Sequence, residues 1–219
     1  MEFFIDSANV FEVEQWASTG MIMGVTTNPT LIAQSGRAIK DVLAQICSLV
    51  EGPISAEVTL PDVSGMLAEA EVLSAIADNI IIKVPLTKDG LKACDRLTKQ
   101  GIGVNVTLCF SAAQALLAAN SGATFISPFM GRLDDIGESG VGLIADIREI
   151  YEKGGYETAI LAASVRNADH VVAAAKAGAH VATLPPKVLE GLYAHPLTTK
   201  GLELFEKDWQ ATGQTILDK

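Results

Sequence analysis

Little in this sequence offers sulfur or imidazole chemistry. The chain of 219 residues holds three cysteines, Cys47, Cys94 and Cys109, and three histidines. The cysteines lack CxxC spacing, so neither a disulfide framework nor a zinc site is indicated, and a reducing compartment is expected. No spacing links His170, His180 and His195 as ligands, and no metal is expected. Positive charge is also scarce. Sixteen basic against 26 acidic residues give a net charge of −10, which argues against nucleic acid or an anionic membrane as partner. An anionic substrate would depend on a few local arginines. No window is apolar for long enough to span a bilayer, and MEFFIDSANV carries no basic leader, so a soluble cytoplasmic protein is expected. The absence of GxGxxG or Walker loops leaves no sign of a nucleotide cofactor.

What the chain does have is apolar content, 49 % of its residues, enough for one domain over residues 1–219 with a large core. Eight β-rich runs alternate with stretches of helical period: FFIDS, MGVTTN, ISAEV, IIIKVP, GVNVTL, TFISPF, AILAAS and HVATLP. Their repeat of about 20 to 30 residues matches one strand plus one crossover helix, the signature of parallel strands. Eight such units favour a closed TIM (β/α)8 barrel of the α/β class over an open sheet. In RAIKDVLAQICSLVEG, Ile39, Val42, Leu43, Ile46, Leu49 and Val50 mark one buried helix face, with Gly52 as its stop. Thr87 and Ser111 are candidate helix caps. A helical extension is expected over about 198–219, where Leu202, Phe205 and Trp209 form an apolar stripe read as packing.

Strand parity carries the functional signal, because successive side chains point to opposite faces. Asp6 lies on a different face from Phe3 and Ile5. Thr26 pairs with Asn28, Ser55 with Glu57, Asn105 with Thr107, and Lys83 shares its face with Ile81. In a closed barrel the outer face is covered by helices and must be apolar, so these polar residues point inward. They cluster late in their strands, with Ser127 and Ser164 near the ends of the sixth and seventh, at the C-terminal mouth where such barrels work. Each unsatisfied buried polar group costs roughly 1–3 kcal/mol, so the cluster reads as an active site rather than packing.

Lys83 is the sharpest member. A lysine facing a partly dry lumen is disfavoured as a cation, and a neutral amine is a nucleophile for a carbonyl carbon. The competing reading is a structural salt bridge to Glu57 or Asp6. Imine formation and carbon–carbon cleavage both need proton transfer, for which Glu57 and Asp6 are candidates.

GVTTNPTLI, IIKVP, NVTLCFS, SPFMGRLDD and ASVRN, in this order and together with the terminal FEKDW, resemble the small transaldolases and the related fructose-6-phosphate aldolases. The resemblance implies a TIM barrel, a lysine Schiff base and no metal or other cofactor. Lys83 matches the imine-forming lysine and Asp6 the acid–base at the C4 hydroxyl. Glu57 and Thr107 match the pair that holds a catalytic water. Asn28, Asn105 and Ser127 match residues that hold a dihydroxyacetone unit; Arg132, Ser164 and Arg166 match a phosphate pocket. Guanidinium forks suit phosphate oxygens. Away from the resemblance, Arg132 could simply pair with Asp134 or Asp135, and Arg166 could be a solvated loop charge. Glu57 and Phe129 stand where the aldolases tend to carry Gln and Tyr, so the implied activity is transfer of a dihydroxyacetone unit from fructose 6-phosphate or sedoheptulose 7-phosphate to an aldose phosphate, in the non-oxidative pentose phosphate pathway. An aldolase that releases dihydroxyacetone, or a barrel that binds sugar phosphate without turnover, are the alternatives. The resemblance also implies a homo-oligomer, pentamer or decamer, with the terminal helix reaching a neighbour.

Overall fold

A computed structural model of the chain describes residues 1–217. The elements run β1 (Glu2–Asp6), α1 (Val10–Ala17), β2 (Gly24–Thr26), α2 (Pro29–Ser35), α3 (Ile39–Leu49), β3 (Ile54–Glu57), α4 (Val63–Ser74), β4 (Ile80–Pro85), α5 (Lys88–Lys99) and β5 (Val104–Cys109). They continue with α6 (Ala112–Asn120), β6 (Phe125–Pro128), α7 (Met130–Asp134), α8 (Gly140–Gly154), β7 (Ala159–Ala162), α9 (Ala168–Lys176), β8 (Val181–Leu184), α10 (Pro186–Tyr193) and α11 (Pro196–Thr212). All eight strands pair in parallel with their sequence neighbours, and β8 returns to β1 to close the barrel. The fold is a TIM barrel with a C-terminal helix.

Parity divides the barrel as the sequence implies. Ile5, Val25, Ile54, Ile82, Val104, Ile126, Ile160 and Leu184 are fully buried on the outer face, under the helices. Burying each such side chain contributes about 1.5–3 kcal/mol. A separate cluster of Phe4, Phe125, Leu161 and Val181, with Ile81 against it, fills the lumen toward the N-terminal ends of the strands. The Phe4 and Phe125 rings meet edge to face with centroids 6.0 Å apart. Gly24 makes room for this plug, since a Cβ there would lie 2.7 Å from the Phe4 ring.

Thr87 and Ser111 cap α5 and α6, accepting hydrogen bonds from the backbone N–H groups of Gly90 and Gln114. One local expectation fails. Helix α3 ends at Leu49 with Val50 in an extended conformation, and Gly52 lies in the following turn, where a Cβ would collide with the Met23 carbonyl. Close backbone approach, not helix termination, selects the glycine. Leu202, Phe205 and Trp209 on α11 are 64 %, 70 % and 45 % exposed, so the stripe does not pack against its own barrel. Of the expected extension, residues 218 and 219 lie outside the described residues. Among the described residues no helix is long and apolar enough to cross a membrane.

Candidate active site

Above the aromatic plug the lumen turns polar. A cavity of about 150 Å³ opens at the C-terminal mouth, lined by Asp6, Thr26, Asn28, Lys83, Thr107, Ser127, Phe129, Arg132, Ala163, Ser164 and Thr183. The residues come from seven of the eight strands or the segments that follow them, so the closed register assembles what is scattered in sequence.

Lys83 is 5 % exposed. Its Nζ donates to the Thr27 carbonyl at 3.0 Å and lies 2.9 Å from Glu57 Oε2. The β3–β4 register sets this pair side by side, because Glu57 is the cross-strand partner of Lys83. The resting site thus contains the ion pair that was the competing reading of Lys83. The two readings are compatible, since a carboxylate in contact with the amine is also positioned to take its proton. Glu57 lies behind the lysine rather than in the cavity wall. It faces two larger, mainly apolar clefts, of about 230 and 320 Å³, one walled by Ile32, Ala33 and Ile39, the other by Ala68, Val72 and Leu73.

Asp6 ends β1. Burial pushes its carboxyl above the ordinary carboxylate range, and a hydrogen bond from Thr26 and the charge of Lys83 pull it partly back. The Thr26 hydroxyl donates to Asp6 Oδ1 at 2.7 Å. A carboxyl so placed can exchange a proton close to neutral pH more readily than a solvated one.

Thr107 reaches the cavity from β5, and its buried Oγ1 has no hydrogen-bond partner among the described residues. Buried polar atoms without a partner are rare, and those found commonly mark a place for a water or ligand atom. The next residue, Leu108, has φ of 62°, at a register shift between β5 and β6. A left-handed conformation costs a non-glycine residue about 1–2 kcal/mol, and such strain collects at functional sites. Ser164, which follows β7 into the same cavity, has φ of 59°.

Asn28 serves two ends at once. Its Oδ1 accepts from the Leu31 N–H and caps α2, which leaves the amide nitrogen as the group available to the cavity. Ser127 lines the cavity but donates its hydroxyl to Asn105 Oδ1 at 2.7 Å. Asn105 is fully buried, and its amide donates to Ser55 at 3.1 Å. Asn105 therefore lies below the cavity wall and braces Ser127 and Ser55.

The two arginines part company. Arg132, on α7, rests its guanidinium 4.9 Å from the Phe129 ring centroid and has no carboxylate partner among the described residues. It lines the cavity. Arg166 lies outside that lining and pairs with Asp135 at 2.6 Å, with both side chains about half exposed. Helix α7 and the segment that carries Arg166 touch at Gly131, where a Cβ would lie 2.1 Å from the Ser164 carbonyl and 2.9 Å from Arg166 Nε. Arg166 is thus a near neighbour of the mouth rather than part of its wall.

Thr26 and Thr183 join the site although neither was singled out as a site residue from sequence. Thr26 shares the face of Asn28, which was a usable signal. Thr183 follows Val181 by two residues and faces the lumen by the same alternation. The three histidines lie elsewhere: His180 binds the Ile160 N–H ahead of β8, His195 caps α11, and His170 stands 3.5 Å from Asp134. Among the described residues no group of three or more His, Cys, Asp or Glu side chains could hold a metal ion.

Comparison with known proteins places this barrel. Residues 3–216 match the family described as Transaldolase/Fructose-6-phosphate aldolase. The chain belongs to that family. It is 61 % identical over 218 residues to a probable transaldolase of Parvibaculum lavamentivorans, covering 99 % of this chain and all of that protein. A probable transaldolase of Chelativorans sp. is 60 % identical over 216 residues, again over 99 % of this chain and all of the relative. Among solved structures, a thiamine phosphate pyrophosphorylase from Pyrococcus furiosus superposes with a TM-score of 0.59 at 14 % identity, over 87 % of this chain and 93 % of the other. At that identity the likeness concerns the fold alone.

Proposed function

We propose that this protein is a transaldolase that carries a dihydroxyacetone unit on Lys83. The observation that carries the reading is the buried amine at the cavity wall with a carboxylate 2.9 Å away, Asp6 across the lumen wall and an unpartnered Thr107 hydroxyl beside it. Lys83 passes its proton to Glu57 and attacks C2 of fructose 6-phosphate. Glu57 and the Thr107 hydroxyl hold the water that leaves as the imine forms. Asp6 removes the C4 hydroxyl proton, the C3–C4 bond breaks, and its electrons move into the imine to give an enamine. Glyceraldehyde 3-phosphate departs. The enamine carbon then attacks the aldehyde of erythrose 4-phosphate, Asp6 returns its proton, and hydrolysis of the new imine releases sedoheptulose 7-phosphate. All the proton transfers fall to side chains of this chain, so the sequence needs no cofactor.

Arg132, held at the rim by the Phe129 ring, supplies the charge for the sugar phosphate, with Ser164 beside it and Arg166 in the adjoining loop. Asn28 and Ser127 face the three-carbon unit. Phe129 has no acidic hydrogen with which to protonate the enamine, which favours transfer to an acceptor over release of dihydroxyacetone. The relatives named probable transaldolases support the same choice. The free thiols of Cys47, Cys94 and Cys109 suit a cytoplasmic enzyme of the non-oxidative pentose phosphate pathway. The exposed stripe on α11 suits a homo-oligomer in which that helix covers a neighbouring copy.

Borohydride reduction in the presence of fructose 6-phosphate, followed by mass spectrometry, tests the first step: the adduct belongs on the Lys83 peptide, and its absence rejects the mechanism. A coupled assay with and without erythrose 4-phosphate separates transfer from simple aldol cleavage.

A further inference from the structure

On the two strands beside β1, two threonines extend the hydrogen bonding of Asp6. Thr26 stands on β2 and Thr183 on β8, the two strands that flank β1 in the closed barrel. Thr26 donates to Asp6 Oδ1 at 2.7 Å, and its oxygen lies 2.6 Å from that of Thr183. Both threonines are buried, at 2 % and 4 % exposure, so water does not compete freely for either hydroxyl.

The direction of this chain follows from counting protons. A threonine hydroxyl has one hydrogen to give, while a carboxylate only accepts. With Asp6 ionised, the Thr26 hydrogen is committed to Oδ1, so the Thr26–Thr183 contact must be donated by Thr183. The order is Thr183 to Thr26 to Asp6, and each bond polarises the next. Among the described residues no donor reaches the second oxygen, Oδ2, which is left to exchange a proton with the sugar.

We propose that Thr26 and Thr183 form a two-hydroxyl relay that holds Asp6 in its basic, correctly turned form, with Thr183 acting only through Thr26. The proposal rests on the reading of Asp6 as the base for the C4 hydroxyl. Both threonines are positioning residues. Their donated hydrogen bonds favour the carboxylate, opposing the burial that disfavours it. The charged groups around Asp6 are Lys83 on β4, its partner Glu57 on β3 and Arg132 at the cavity rim. Glu12 of α1 is engaged by the Ser7 hydroxyl at 2.6 Å.

The sign of the effect is fixed. Removing a donor to the carboxylate makes Asp6 harder to ionise, so the acid limb of the kcat/KM profile moves to higher pH. Thr26→Val should lower kcat/KM about tenfold on the acid side, and Thr183→Val about threefold, with recovery toward alkaline pH. Thr183→Ser should restore the wild-type limb. In a Thr26→Val background, Thr183→Val should have no further effect on the limb, because its route to Asp6 is already cut. Thermal unfolding checks that each variant is folded, and Thr183→Ala replaces Thr183→Val if the valine does not fit.

Borohydride trapping of dihydroxyacetone on Lys83 is run in parallel and requires no bond cleavage by Asp6. If wild-type protein forms no adduct, the transaldolase reading falls and the relay with it. If wild type and Thr183→Val both form it but share one acid limb, the relay alone is overturned. Additive losses in the double variant overturn it as well.

Discussion

The Lys83–Glu57 pair can be tested as an energetic object apart from turnover. At 2.9 Å and an effective dielectric of about 20, two unit charges attract by about 6 kcal/mol. Removing each from water costs several kcal/mol, so the intact pair should contribute little net stability over an apolar substitute. Breaking it is another matter. Glu57→Leu leaves the ammonium buried, with the Thr27 carbonyl as its remaining partner. That loss should cost about 3 kcal/mol, the low end for a broken buried pair, because Glu57 retains 14 % side-chain exposure and some solvent reaches it. In a chain of this length such a change lowers Tm by about 6–12 °C. Lys83→Met with Glu57→Leu removes both charges and should return stability to within about 1 kcal/mol of wild type, while abolishing activity. Urea unfolding of the two single variants and the double variant completes the cycle. The reasoning is refuted if Glu57→Leu alone costs under 1 kcal/mol, or if the double variant loses the sum of the two single losses.

Two further outcomes bear on the site. Arg132→Leu should raise KM for a phosphorylated ketose at least tenfold, since a charge-assisted contact is worth about 1.5–3 kcal/mol, and leave turnover of unphosphorylated donors nearly unchanged; Arg166→Leu, already paired with Asp135 and half exposed, should do less. Asp6→Asn should stabilise the protein at neutral pH: burial raises the folded-state carboxyl above its unfolded value, so ionising it costs folded stability as pH climbs through that range. The gain should shrink on acidification and vanish below the unfolded aspartate pKa of about 3.9, as read from urea midpoints across pH.

Much of this site can be read in the sequence because parity is a local property. A residue's face on a strand depends on its immediate neighbours, so Asp6, Lys83, Thr107 and Ser127 can be placed inward without knowing what stands opposite. Height along the barrel axis is not local. It depends on the register between strands distant in sequence, which is why Asn105 proves to lie beneath the cavity and Glu57 behind Lys83. The role of Thr183 is hidden in the sequence for a related reason. VATL reads as an ordinary buried strand, and only closure of β8 onto β1 brings its hydroxyl to Thr26. Arg166 depends on a loop contact at Gly131 that no periodicity encodes. The α11 stripe has helical spacing whether it packs inward or outward, so spacing alone could not tell which surface it would find.

The aromatic plug of Phe4 and Phe125 shuts the lower end of the barrel. On the transaldolase reading, sugars would then pass through one doorway, the same in both directions. A donor's departing aldehyde would clear that threshold before the acceptor arrives. The carbon fragment left behind would have to survive that interval attached to the protein, which is what a covalent link to a lysine would provide.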